Sequence, residues 1–232
     1  MTGRRTAKVS RGTRRSSKLK AMLAGGAVLG LGATVTLAAW TDTEWVFAGN
    51  AAGNGPGLGT SVFEVEQNVT NPYTEASFVQ NETNPGGAVQ FGVSALTLTP
   101  GDAVYAPVAL RTVTGSIAGT VTLQPAVPAT GITVTDANQA LFNALTVRVA
   151  VSATTTTCNA AAFTAGTIIA NGPLATTGAS AGQALSAAGG NVQHYCFEIT
   201  LPANPTLPNG TALSALQGRT AAPAWNFSAV SG

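Results

Sequence analysis

From position 62 onward, apolar and polar residues alternate in short runs, the period-two pattern of half-buried strands. Val62-Phe63-Glu64-Val65-Glu66 is the first run, and Val89-Gln90-Phe91-Gly92-Val93 and residues 95–99 (ALTLT) follow. Pro100-Gly101-Asp102 then reads as a turn, because Pro fixes φ and Gly allows a positive φ. Alternation resumes over residues 103–110, with Pro107 marking an edge or a bulge. Residues 116–123, 132–135, 145–153, 167–170, 195–201 and 224–230 complete the set of predicted strands. The run at 145–153 (LTVRVAVSA) is rich in β-branched residues and is predicted to be central.

Helical signals are few. Asp136 is placed to cap a helix over residues 137–143, with Gln139 completing a capping box. A second helical turn is expected at 159–163. Neither is long enough for a parallel crossover. Residues 178–190 are Gly-rich and read as a surface loop. The turn spacing predicts an all-β chain: a jelly-roll-like antiparallel β-sandwich with one or two short helices.

The N-terminus has a different pattern. Residues 1–20 are basic, and residues 21–40 (AMLAGGAVLGLGATVTLAAW) carry no charge. Basic, apolar, then small residues is the order of a secretory signal peptide. Thr36 and Ala38 put small residues at −3 and −1, which predicts cleavage after Ala38; cleavage after Ala39 would put Leu37 at −3. Arg14-Arg15 hints at a twin-arginine signal, but Ser16-Ser17 lacks the bulky apolar residue such signals prefer. The expected organisation is a signal peptide over 1–38, a flexible N-terminal arm over 39–61, and a β-sandwich domain over 62–232. An export signal peptidase is the implied processing partner, and the mature chain is expected outside the cell. Contact with a membrane is expected only through an uncleaved signal, whose apolar block is long enough to span one.

Charge sharpens this division. Eight of the 11 Lys and Arg residues fall in the first 20 positions. After position 40 three basic residues face nine acids, a net charge of −6. The mature chain therefore has no basic stripe for phosphates, and nucleic acid is excluded as an expected partner. Charged residues are 9% of the chain against a usual value of about 25%. The 45% hydrophobic content argues against disorder.

Candidate chemistry is sparse. Cys158 and Cys196 are an even count in an exported chain, the pattern of one disulfide, with two buried thiols as the alternative. His194 is the one histidine, and no HExxH or GxSxG motif accompanies it. Glu64 and Glu66 share a strand face in the manner of a glycosidase pair, but a solvated or edge-strand role is the simpler reading. Asp42, Glu44, Asp102 and Asp136 are acids without EF-hand spacing. No Walker or dinucleotide glycine motif is present. The residues thus point to no catalytic group, metal or cofactor.

Residues 49–59 (GNAAGNGPGLG) separate Trp40, Asp42, Trp45, Val46 and Phe47 from the first predicted strand. Such an apolar arm either folds onto its own domain or adds as a strand to a neighbour. Three segments carry a family resemblance: residues 36–42 (TLAAWTD) after a Gly-rich apolar block; Leu98-Thr99-Pro100-Gly101-Asp102 with residues 114–120 (TGSIAGT); and Tyr195-Cys196-Phe197 with Leu216-Gln217-Gly218 and Trp225-Asn226-Phe227. Together they resemble the TasA/camelysin family of exported bacterial matrix proteins with SipW-type signal peptides. The Gly-rich insert after Phe47 departs from the family's tighter spacing. The resemblance implies an extracellular jelly-roll sandwich that self-associates into biofilm-matrix fibres, with residues 39–47 as the donated strand. The alternatives are a monomeric extracellular module binding carbohydrate or protein, and a camelysin-like metalloprotease.

Overall fold

The computed structural model describes Met22 and residues 43–155, 157–207 and 212–232. The chain divides into two units, one ending at Gly59 and one running from Thr60 to Gly232. Apart from Met22, the expected signal segment 1–38 lies outside the described residues, as do Ala39, Trp40 and Asp42.

In the first unit, the Gly-rich stretch is a tight hairpin and not the open linker its composition predicts. Asn50 N–H donates to Gly55 O at 3.0 Å, and Gly57 N–H donates to Ala48 O at 2.9 Å. The Asn50 side-chain oxygen accepts the amides of Ala52 and Asn54, which is how Asn organises a turn. A Cβ on Gly57 would lie 2.3 Å from Gly49 O, so only glycine fits there.

The second unit contains ten strands among the described residues: β1 Val65–Asn68, β2 Ala103–Thr112, β3 Gly119–Leu123, β4 Val127–Pro128, β5 Thr146–Ser152, β6 Thr167–Pro173, β7 Gln183–Leu185, β8 Gln193–Thr200, β9 Pro223–Ala224 and β10 Phe227–Ser231. Two short helices accompany them, α1 Ala140–Ala144 and α2 Ala162–Ala165. The larger sheet has the order β1-β2-β8-β5-β6, the smaller β10-β3-β7, and β4 pairs with β9. Every strand pair is antiparallel.

Alternation along the strands explains the two layers. Val104, Val108 and Leu110 of β2, Val147, Val149 and Val151 of β5, and Tyr195, Phe197 and Ile199 of β8 point to one face. They form one core with Val121 and Leu123 of β3 and Leu185 of β7, which makes the fold a β-sandwich. Fully burying each Val, Leu or Phe contributes about 1.5–3 kcal/mol. The outer face of the larger sheet carries a smaller cluster of Ala150, Cys196, Ala162 and Phe163, with Tyr105 and Cys158 beside it.

The all-β expectation holds, and β5 is flanked by strands on both sides. Several predicted elements differ. Residues 89–93 and 95–99 form no strand; Val93–Leu96 is a 3-10 turn. Residues 132–135 form no strand either: Thr135 exchanges hydrogen bonds with Thr220 alone. The run at 224–230 is split at Trp225-Asn226 into the end of β9 and β10. Residues 178–190 include β7, so they are not simply a loop. The capping box is also absent. Gln139 is left-handed at φ 53°, and the Asp136 carboxylate instead accepts the amides of Leu141 and Phe142 at the start of α1. At 89–99 and 132–135 period-two alternation was present but a ladder partner among the described residues was not; at 224–230 the partner changes from β4 to β3; at residues 136–139 the local backbone decided the outcome.

The Pro-Gly-Asp turn forms as expected. Asp102 N–H donates to Thr99 O, and Gly101 has φ +100°, the type II arrangement. The Asp102 carboxylate accepts both the Thr99 amide and its hydroxyl, which holds its pKa below the usual value.

Candidate functional site

The two sheets do not close on each other along one side. Between β1 of the larger sheet and β10 of the smaller one lies a groove of about 1020 Å³. Its floor is core: Val104, Val108 and Leu110 of β2 and Phe197 and Ile199 of β8. Its aromatic wall is Phe91 and Trp225, with ring centroids 6.4 Å apart, and Trp225 packs on Phe197 at 4.9 Å. Leu96, Val127 and Ile132 form an exposed apolar rim.

The edge of β10 is the polar component of this site. At the two ends of its ladder with β3, Gln124 N–H donates to Asn226 O and Gly232 N–H donates to Ala118 O. Antiparallel pairing alternates residue by residue, so Ser228 and Val230 also turn their amides and carbonyls to β3. The N–H and C=O groups of Phe227, Ala229 and Ser231 therefore point to the free side. Phe227, Ser228 and Ala229 line the groove. Across it, β1 is capped, because Gln67 and Val79 exchange both backbone hydrogen bonds, at 2.8 and 2.9 Å. Among the described residues β10 has no such cap.

Residues 81–98 lie along the groove without joining either sheet. Their backbone hydrogen bonds to other backbone groups are internal, Ala95 N–H to Gly92 O and Thr97 N–H to Ser94 O. Val89, Phe91, Ala95 and Leu98 rest on the core as half-buried side chains.

Beside its small apolar cluster, the outer face of the larger sheet carries a set of paired polar side chains. Arg111 binds Glu66 and Glu75 at 2.6 Å each, and its guanidinium lies 3.9 Å from the centre of the Phe78 ring. Tyr73 donates to Glu75; burial first, and that hydrogen bond second, push the Tyr73 phenol up to about 12. His194 packs edge-on against Tyr73 at 5.0 Å and lies 3.3 Å from the Thr155 hydroxyl, and burial lowers its pKa. Arg148 pairs with Glu198 at 2.6 Å. Cys158 and Cys196 form a disulfide that ties the segment before α2 to β8.

The structure thus distributes the predicted residues as follows. Cys158 and Cys196 meet. Trp45, Val46 and Phe47 are 90%, 95% and 71% exposed. Glu64 and Glu66 do not act as a pair: Glu66 faces Arg111, and Glu64 accepts a hydrogen bond from Gln80. Asp136 is engaged with Arg219 at 3.2 Å as well as with α1. Among the described residues no three His, Cys, Asp or Glu side chains come together as a metal set. The groove and the β10 edge were not legible as a site. The available signal was Trp225-Asn226-Phe227 beside a long alternating stretch bounded by Pro85-Gly86-Gly87 and Pro100-Gly101.

No model of a known protein family matches the chain, and no curated protein sequence matches it.

Proposed function

We propose that this protein is a secreted or cell-surface structural subunit that assembles into matrix fibres by β-strand addition, without catalytic chemistry. The observation that carries the reading is the uncapped edge of β10 beside an apolar groove. Unpaired edge amides and carbonyls are a template for another strand, and side-chain pockets beside them give selectivity. The occupant we assign is the arm of a second copy. Trp45, Val46 and Phe47 expose apolar surface that a soluble chain rarely leaves uncovered, and an aromatic-lined groove suits it. A groove on one copy and an arm on the next form a head-to-tail contact, which propagates into filaments when it does not close.

Export is supported by the three-part N-terminal pattern and by the disulfide, which persists in oxidising surroundings. The resemblance to TasA/camelysin proteins points the same way. Sedimentation and electron microscopy of residues 39–232 test the proposal. Filaments that disappear when residues 39–47 are deleted support it. A strict monomer at high concentration, or filaments unchanged by the deletion, overturns it.

A further inference from the structure

Residues 81–102 form one long connection from the segment that caps β1 to β2, with a single 3-10 turn inside it. Irregular loops beyond about 12–15 residues are uncommon in compact domains and usually serve binding or gating. This one combines two properties that rarely occur together. It carries strand-patterned sequence, Val89-Gln90-Phe91-Gly92-Val93 and residues 95–99. Yet no residue from 81 to 99 is fully buried, and none joins a ladder. Val93 and Leu96 are 92% and 80% exposed. Asn84 anchors the start of the segment through hydrogen bonds with Pro128 O and the Thr130 amide, and the Asn71 side chain donates to Gln90 O. Beyond these, residues 88–98 are held on the core by four half-buried side chains, Val89, Phe91, Ala95 and Leu98. Few buried contacts and few backbone bonds to neighbours mark a region that opens at low free-energy cost.

Its position gives that low cost a use. Phe91 leans on Trp225, one of the two residues that join β9 to β10, so it occupies apolar surface directly beside the uncapped edge. A strand entering along β10 needs the same surface for its own aromatic side chains. We propose that residues 88–98 are a placeholder that occupies the Trp225 side of the groove in the unassembled subunit and is displaced when the arm of another copy binds. This rests on the strand-addition reading and adds a regulatory step to it: the occupied state lowers the apparent affinity for the arm by the fraction of molecules that are open. The device keeps the surface beside the β10 edge filled until an arm arrives at sufficient concentration.

The test uses residues 39–232 with Trp45→Ser, Val46→Ser and Phe47→Ser, so that its own arm does not compete, and a synthetic peptide of residues 39–48. Peptide binding is followed by hydrogen exchange of residues 88–98. Binding accompanied by faster exchange in 88–98 supports the placeholder. Phe91→Ala, which removes its main anchor, is then expected to tighten peptide binding about tenfold by raising the open fraction. Peptide binding with slowed or unchanged exchange in 88–98 overturns the placeholder while leaving strand addition intact. Absence of peptide binding in every form overturns strand addition, and the placeholder with it. The exchange measurement on unaltered residues 88–98 decides the question even if Phe91→Ala fails to fold.

Discussion

Arg148 and Glu198 stand directly opposite each other on β5 and β8, and their side chains meet at 2.6 Å. The guanidinium also lies 4.3 Å from the centre of the Phe163 ring of α2. One ion pair therefore braces the helix against the sheet. The Glu198 side chain is 12% exposed and that of Arg148 33%, so removing Glu198 leaves a cation that water reaches in part. Glu198→Ala is expected to cost about 1–2 kcal/mol, the loss of one charge-assisted hydrogen bond at a part-buried site. Arg148→Met with Glu198→Leu should recover more than half of that loss. Urea denaturation of both variants checks the ordering.

The disulfide tethers the segment that leads into the same helix. Cys158 and Cys196 close a loop of sequence separation 38. Loop-closure entropy makes such a link worth about 4 kcal/mol. Cys158→Ala with Cys196→Ala should therefore lower Tm by about 10 °C for a chain of this size. Calorimetry under non-reducing conditions measures it, and dithiothreitol should reproduce the shift in the unaltered protein.

Thr112 joins the two layers through one hydroxyl. It is fully buried, donates to Ser186 O at 2.6 Å and accepts from Gly189 N–H at 2.8 Å. Thr112→Val keeps the shape but leaves both backbone groups without a partner. The expected cost is about 1–3 kcal/mol, the penalty for unsatisfied buried polar groups. Thr112→Ser should cost less, and comparing the two by chemical denaturation separates the hydroxyl from the methyl.

Much of the fold was legible because strong alternation coincided with available partners. Residues 103–110 and 195–201 lie almost wholly within β2 and β8, which pair along eight register positions. The failures have two causes. Val89 to Val93 alternates as well as residues 103–110 do, but pairing is a long-range property and no ladder partner reaches it. Asp136 and Gln139 have capping-box spacing, but the left-handed backbone at Asn138 and Gln139 moved the helix start onward. The disulfide was readable from two cysteines. The groove was not, because it depends on which strand edges the tertiary fold leaves open.

His194 supplies a pH dependence with a definite sign. Burial lowers its pKa from the ordinary value of 6.5, with the Glu75 carboxylate opposing part of the shift. The folded form therefore binds its proton less readily than the unfolded chain. Stability is unaffected by this group above about 6.5, and falls as pH drops from there to the depressed folded value. Below that value the loss is complete. His194→Gln should flatten this part of the stability profile, read as urea midpoints across the interval. A slope unchanged by the substitution would assign the effect to other groups.

Proline placement along β10 separates fold from assembly. The Ala229 amide points to the free side, whereas the Ser228 amide points to β3, by the alternation set at Asn226 and Gly232. Proline is tolerated on an edge strand where its missing N–H would face outward. Ala229→Pro is therefore expected to leave the thermal midpoint of the monomer within about 2 °C, a change of no more than about 1 kcal/mol. It should still abolish filaments, because the incoming strand loses a ladder bond and meets the pyrrolidine ring. Ser228→Pro breaks the β10–β3 ladder itself and should destabilise the monomer by about 3 kcal/mol or more. Filaments that survive Ala229→Pro would move the assembly contact away from β10. A monomer equally unstable in both variants would show that the β10 amides do not alternate as the ladder ends imply.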